Sequence, residues 1–192
     1  MSTTDAPRRI GFLADTHSAK ADGSDLPDQV LEAFAGVDLI VHLGDIGRKA
    51  ILDRLSEVAP VWVPGERDKG YVPWRPGEGP DLAAGHVKVV EAEGRSVGMI
   101  FNLTKPDKKI AVDEAITFPD EPLAGLLQRR FKRPVDAVAF GGTHRLHEQR
   151  HEGVVFFNPG SPTLPMPDSP AGVAVLDLGE ETPQVELITI TA

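Results

Sequence analysis

The chain has 192 residues, with 29 acidic against 20 basic side chains, a net charge of −9 and no cysteine. The length supports one sizeable core, and the missing cysteine excludes disulfide frameworks, thiolate zinc sites and cysteine nucleophiles, which fits a reducing, cytoplasmic setting. The negative charge argues against non-specific nucleic-acid binding, so an anionic substrate has to be attracted locally, for example by a bound cation.

The opening MSTTDAPRR lacks the apolar stretch of a secretion leader, and no apolar run approaches the ~20 residues of a membrane helix. Residues 1–7 read as a disordered tail and 8–192 as a single domain. RRIGFLAD (8–15) is a strand. LPDQVLEAFAG (26–36) is a helix, with Pro27 in its first turn and Gly36 closing it. VDLIVHLGD (37–45), RKAILDRLSEV (48–58) and PVWVPG (60–65) continue as strand, helix and strand. That alternation predicts an α/β layer with parallel strands. A Pro/Gly-rich loop (70–81) carrying Tyr71 and Trp74 follows; its aromatics read as buried anchors, as a lid, or as contacts of a homo-oligomer. Residues 86–104 read as a hairpin turning at Glu93-Gly94, 121–131 as a helix, and 135–142, 154–161, 171–179 and 184–190 as strands. Two mixed sheets packed face to face, with helices outside, accommodate this order.

Polar residues fall where strands end: Asp15-Thr16-His17, Gly44-Asp45, Glu66-Arg67-Asp68, Asn102 and Gly141-Gly142-Thr143-His144. In α/β sheets ligands collect at the carboxyl ends of strands. Singly, each residue reads as an ordinary turn or cap. Together, Asp15 and His17, taken as extended chain and so ~6.5 Å apart on one side, can converge on one cation. Asp45 adds a carboxylate able to bridge two ions, and His144 closes the shell. This mixed nitrogen and oxygen set suits manganese, zinc or iron better than calcium.

These residues, with Asn158-Pro159-Gly160-Ser161, resemble the calcineurin-like metallophosphoesterase superfamily, in particular its small bacterial and archaeal phosphodiesterase branch. The family order is DxH, GD, GNxD, a strand ending in HG, GHTH and NPGS. The resemblance implies a four-layer α/β/β/α sandwich and a two-metal site that hydrolyses a small phosphorylated substrate with metal-activated water. It places one ion on Asp15, His17, Asp45 and His144, with Asp45 bridging to a second. Three expected ligands of the second ion are replaced: Asn by Glu66, His by Asn102, and the first His of GHTH by Gly142.

Three readings of this departure stand open. Glu66, Asn102 and Asp45 could hold a hard ion such as magnesium or manganese through oxygen, or Arg67 could replace the second ion's charge and clamp a phosphate. In the third, the protein is a scaffold acting through protein contacts. Arg67 and Asp68 are the candidate catalytic residues beside the metal set. His42 reads as a core histidine supporting the ligands, Asn158 as part of a structural turn near the site, and His147 as a solvent-facing hairpin residue. RRFKR (129–133) complements a helix dipole and needs no nucleic acid.

Overall fold

A computed structural model describes residues 6–64, 87–105 and 109–191. Arg67, Asp68 and Glu66, the aromatic loop at 70–81, and most of the tail at 1–7 lie outside the described residues. In chain order the elements are β1 (Arg9–Leu13), α1 (Asp28–Ala33), β2 (Leu39–His42), α2 (Ala50–Leu55), β3 (Val61–Trp62), β4 (Val87–Ala92) and β5 (Arg95–Ile100). Then come β6 (Ala111–Val112), β7 (Ile116–Thr117), α3 (Leu123–Phe131), β8 (Ala137–Phe140), β9 (Leu146–His151), β10 (Val154–Pro159), β11 (Gly172–Asp177) and β12 (Gln184–Thr189).

The strands form two mixed five-stranded sheets, ordered β12-β11-β1-β2-β3 and β4-β5-β8-β10-β9, beside a small β6-β7 ribbon. In the first, β1, β2 and β3 are parallel and β11 runs antiparallel to β1. In the second, β8 lies parallel to both β5 and β10. Alternation sorts the side chains into layers. Ile10, Phe12, Val41, Met99, Ala139, Phe157 and Ala174 fill the space between the sheets. Leu13 and Ile40 point the other way, onto Val30, Phe34, Ile51 and Leu55 of the α1 and α2 segments. Val138, Phe140 and Phe156 meet Leu123, Leu127 and Phe131 of α3 on the opposite outer face. Three cores between four layers make the expected α/β/β/α sandwich.

Two glycines set how closely the helices dock. A Cβ at Gly11 would sit 2.7 Å from the Phe34 ring, and one at Gly98 would sit 2.6 Å from that of Phe131. Each strand therefore gives an aromatic ring of the overlying helix a seat on bare backbone. The hairpin at Glu93-Gly94 turns as expected, with both residues at positive φ (51° and 70°). The Arg129 guanidinium binds Glu121 at 2.7 Å, and Arg133 pairs with Glu91, so this basic stretch is matched by acids of its own chain.

The structure adds three strands to those expected: β6 and β7 of the small ribbon, and β9. His147 lies in β9, opposite Asn158 of β10. It is half-buried rather than solvent-facing, with its ring against Phe140 at 6.2 Å and its Nε2 enclosed. Burial holds its pKa below the usual histidine value. His151, at the other end of β9, stacks on Phe118 with ring centroids 4.1 Å apart.

Candidate metal centre

β1 and β2 end side by side, and the two segments that follow stay joined by backbone hydrogen bonds. The Asp15 N–H donates to the Gly44 carbonyl and the His17 N–H to that of Asp45, both at 2.9 Å. Ser18 and Arg48 continue the ladder through Ile46 and Ser18. This is not extended chain. Asp15, His17 and Asp45 have φ of 53°, 41° and 54°, and His144 has φ of 57°. The extended geometry expected for Asp15-Thr16-His17 is therefore corrected: β1 stops at Leu13, and left-handed turns aim the side chains. Such backbone is sparsely populated outside glycine, asparagine, aspartate and histidine, and it clusters at functional sites.

The outcome is convergence. Asp15, His17 and His144 each present a ligand atom, all within 4.8 Å of one another. The His17 and His144 rings stack at 5.1 Å and 20°. Asp45 joins from the second segment, its Oδ2 3.7 Å from His17 Nε2. Asp15 is fully buried. Its Oδ2 accepts the Gly142 N–H at 2.8 Å, while Oδ1 lies 3.6 Å from His144 Nε2 and has no hydrogen-bond partner among the described residues. Burial lifts its pKa from 3.8 to about 6; the Gly142 N–H and His144 pull down, and Asp45 pushes up. A buried carboxylate oxygen with no partner is costly. A divalent cation satisfies it, so this donor set fits an ion.

Further residues hold these groups in place. His144 Nδ1 lies 2.6 Å from the Leu164 carbonyl, to which it donates, leaving Nε2 bare toward Asp15. His42, fully buried, takes the Gly44 N–H on Nδ1 at 3.2 Å and binds Thr16 Oγ1 through Nε2 at 2.9 Å. The Thr16 hydroxyl donates to the Ile46 carbonyl at 2.8 Å, so the proton between His42 and Thr16 belongs to His42 Nε2. Burial, with a smaller push from His17, lowers the His42 pKa to about 3. It is a neutral link between the two segments.

Asn158, expected in a turn, is the penultimate residue of β10, and the reversal comes at Gly160, with φ of 68°. Its Nδ2 donates to Thr143 Oγ1 at 2.9 Å and its Oδ1 accepts the Gly160 N–H at 2.9 Å. The Ser161 hydroxyl donates to the Asp15 carbonyl at 2.7 Å, and that of Thr163 to the Thr16 carbonyl at 2.5 Å. Sequence reasoning missed Ser161, Thr163 and Leu164. No contact could be assigned to them from sequence, although Ser161 closes the quoted NPGS and Thr163 and Leu164 come just after it.

Gly142 and Asn102 stand where the resemblance expects imidazoles. Gly142 has φ of 78°, and a Cβ there would meet the Phe101 carbonyl oxygen at 3.2 Å. The Phe101 ring also occupies the space a Cβ would take at Gly44, at 2.7 Å. Phe101 thus wedges between the GD and GG turns, another contributor with no advance signal. Asn102 Oδ1 accepts from both the Thr104 N–H at 3.0 Å and the Thr104 hydroxyl at 2.6 Å.

The comparisons with known proteins agree with this geometry. A family model described as the calcineurin-like phosphoesterase superfamily domain matches residues 9–181. A probable metallophosphoesterase of Methanothermobacter thermautotrophicus is 29% identical over 180 residues, covering 93% of this chain and 91% of that protein. Among solved structures, a predicted phosphoesterase from Streptococcus pneumoniae has a TM-score of 0.58 at 18% identity, covering 96% of this chain and 90% of that one. Vacuolar protein sorting 29 from Cryptosporidium parvum has a TM-score of 0.60 at 19% identity, covering 98% and 100%. With the family model spanning nearly the whole sequence, the chain belongs to the calcineurin-like phosphoesterase superfamily.

Proposed function

We propose that this protein is a metal-dependent phosphoesterase of the phosphodiesterase type, acting on a small phosphorylated substrate in the cytoplasm. The observation that carries the reading is the buried Asp15 Oδ1, held without a hydrogen bond beside the ring nitrogens of His17 and His144. Asp15, His17 and His144, with Asp45 adjoining, would hold a divalent manganese, zinc, iron or magnesium ion. When bound, that ion supplies Lewis acidity to a phosphoryl oxygen and acidifies water. The chain's own part is placement. Leu164 fixes the His144 tautomer, Gly142 orients Asp15, and His42 and Asn158 keep the surrounding segments in register. Arg67 and Asp68 are proposed from sequence as substrate-contacting residues and Glu66 as a further ligand, within a single domain of residues 8–192.

A second reading, a scaffold that works through protein contacts, is favoured by one observation. Leu164 and Met166, on the loop that orients His144, are the exposed large apolar residues among the described residues, at 53% and 38%. The likeness to vacuolar protein sorting 29 is a likeness of fold and leaves this reading as a proposal.

One experiment separates them. The purified protein is loaded with manganese and assayed on bis(p-nitrophenyl) phosphate, beside Asp15→Asn. Hydrolysis by the parent and its loss in Asp15→Asn support the enzyme. No metal uptake and no turnover would leave the scaffold.

A further inference from the structure

We infer that Asn102 binds an anionic phosphoryl oxygen through its amide N–H group, and does not ligate a cation through its oxygen. This rests on the phosphoesterase reading above. The Thr104 backbone N–H can only donate, so the Asn102 atom facing it at 3.0 Å is the oxygen. The Thr104 hydroxyl, at 2.6 Å, takes the second acceptor position of that same oxygen. An amide oxygen has two lone pairs, and both are engaged in this turn. What Asn102 has left is Nδ2, with two N–H donors and no partner among the described residues. A donor repels a cation and suits an anion.

Placement supports the assignment. Asn102 follows Phe101, whose carbonyl accepts the Gly141 N–H at 3.1 Å. Gly142, the next residue, donates its own N–H to Asp15. The Phe101 ring abuts Gly44, the neighbour of Asp45. Asn102 therefore sits on the rim of the cluster, half-buried, in a turn that also carries the exposed Lys105. A neutral donor here takes part of the electrostatic role that a second cation would fill, stabilising phosphoryl charge by hydrogen bonding.

The test uses the full chain, Mn²⁺ and inorganic phosphate. Calorimetric titration gives the number of Mn²⁺ ions bound, and a second titration gives the affinity of the loaded protein for phosphate. In Asn102→Ala the ion count and Mn²⁺ affinity are expected to stay at the parent values, while phosphate binds about tenfold more weakly, as for the loss of a hydrogen bond to a charged group. Asn102→Asp keeps an acceptor for Thr104 and so preserves the turn. Its melting temperature is expected to match the parent, yet phosphate binding should fall at least as far. Fewer ions in Asn102→Ala, unchanged phosphate affinity, or full phosphate affinity in Asn102→Asp would each overturn the inference while the phosphoesterase reading survives. A parent that binds no Mn²⁺ would remove that reading, and this inference with it.

Discussion

Asp15 Oδ1 and His144 Nε2 face each other across 3.6 Å without a hydrogen bond. Because His144 Nδ1 donates to the Leu164 carbonyl, the neutral ring turns a lone pair toward a carboxylate oxygen. Two electron-rich atoms held this way need a proton or a cation between them.

In the metal-free protein that need makes stability depend on pH. The folded pKa of Asp15, about 6, lies above its ordinary 3.8. Between those values the folded state holds a proton that the unfolded chain releases. The Asp15 contribution is therefore fully present below about pH 4 and is lost as pH rises through about 6, by up to ~3 kcal/mol. Subtracting Asp15→Asn from the parent in metal-free urea denaturation isolates it. The difference should grow between pH 4 and 7 in favour of the variant; a flat difference refutes the prediction.

Ser161→Ala removes the donor to the Asp15 carbonyl and the acceptor for the Leu164 N–H at 2.8 Å, both inside a buried site. The expected loss is about 1–3 kcal/mol of stability, read from the urea midpoint. Because the same hydroxyl ties the Asp15 backbone to the loop that orients His144, Mn²⁺ affinity should fall too, which calorimetry would show. A stability loss with unaltered metal affinity counts against a positioning role.

His42 should be spectroscopically silent across the physiological range. Its pKa near 3 and its bonds to Gly44 and Thr16 predict a neutral ring protonated at Nε2. Nitrogen-15 NMR should find that tautomer unchanged from pH 5 to 8. A midpoint inside this range contradicts the buried neutral link.

Gly142→Ala forces a Cβ onto backbone at φ of 78°, 3.2 Å from the Phe101 oxygen. Calorimetric melting should show about 1–2 kcal/mol of destabilisation. The triple change Glu66→Asn, Asn102→His and Gly142→His, which restores the family pattern, should take up a second Mn²⁺ at a similar or greater cost in melting temperature. If it is as stable as the parent, Gly142 is not constrained as described.

The apolar strands, the three helices and the Glu93-Gly94 turn were legible in the sequence because their periods and punctuation are local. β9 was not. LHEQRH is an edge strand with few apolar residues, and its pairing to β10 is decided by tertiary context. At the site, the identities of Asp15, His17, Asp45 and His144 could be read, but their backbone could not. Aspartate and histidine tolerate positive φ without announcing it, so Asp15-Thr16-His17 looked extended. Asn102 offered an oxygen on paper, and only Thr104, two residues on, shows where that oxygen is used.

The bond from Ser161 to the Asp15 carbonyl also orders events in time. β1 is an interior strand of its sheet, yet one of its neighbours, β11, is made only after residue 171. During synthesis the Asp15 segment emerges early and waits for most of the chain before its last supports arrive. A nascent or truncated chain ending before Ser161 carries Asp15, His17, Asp45 and His144 but lacks the clasp that orients them. The geometry of the Asp15 and His144 cluster is thereby completed last, by residues that follow all four of its members in the chain.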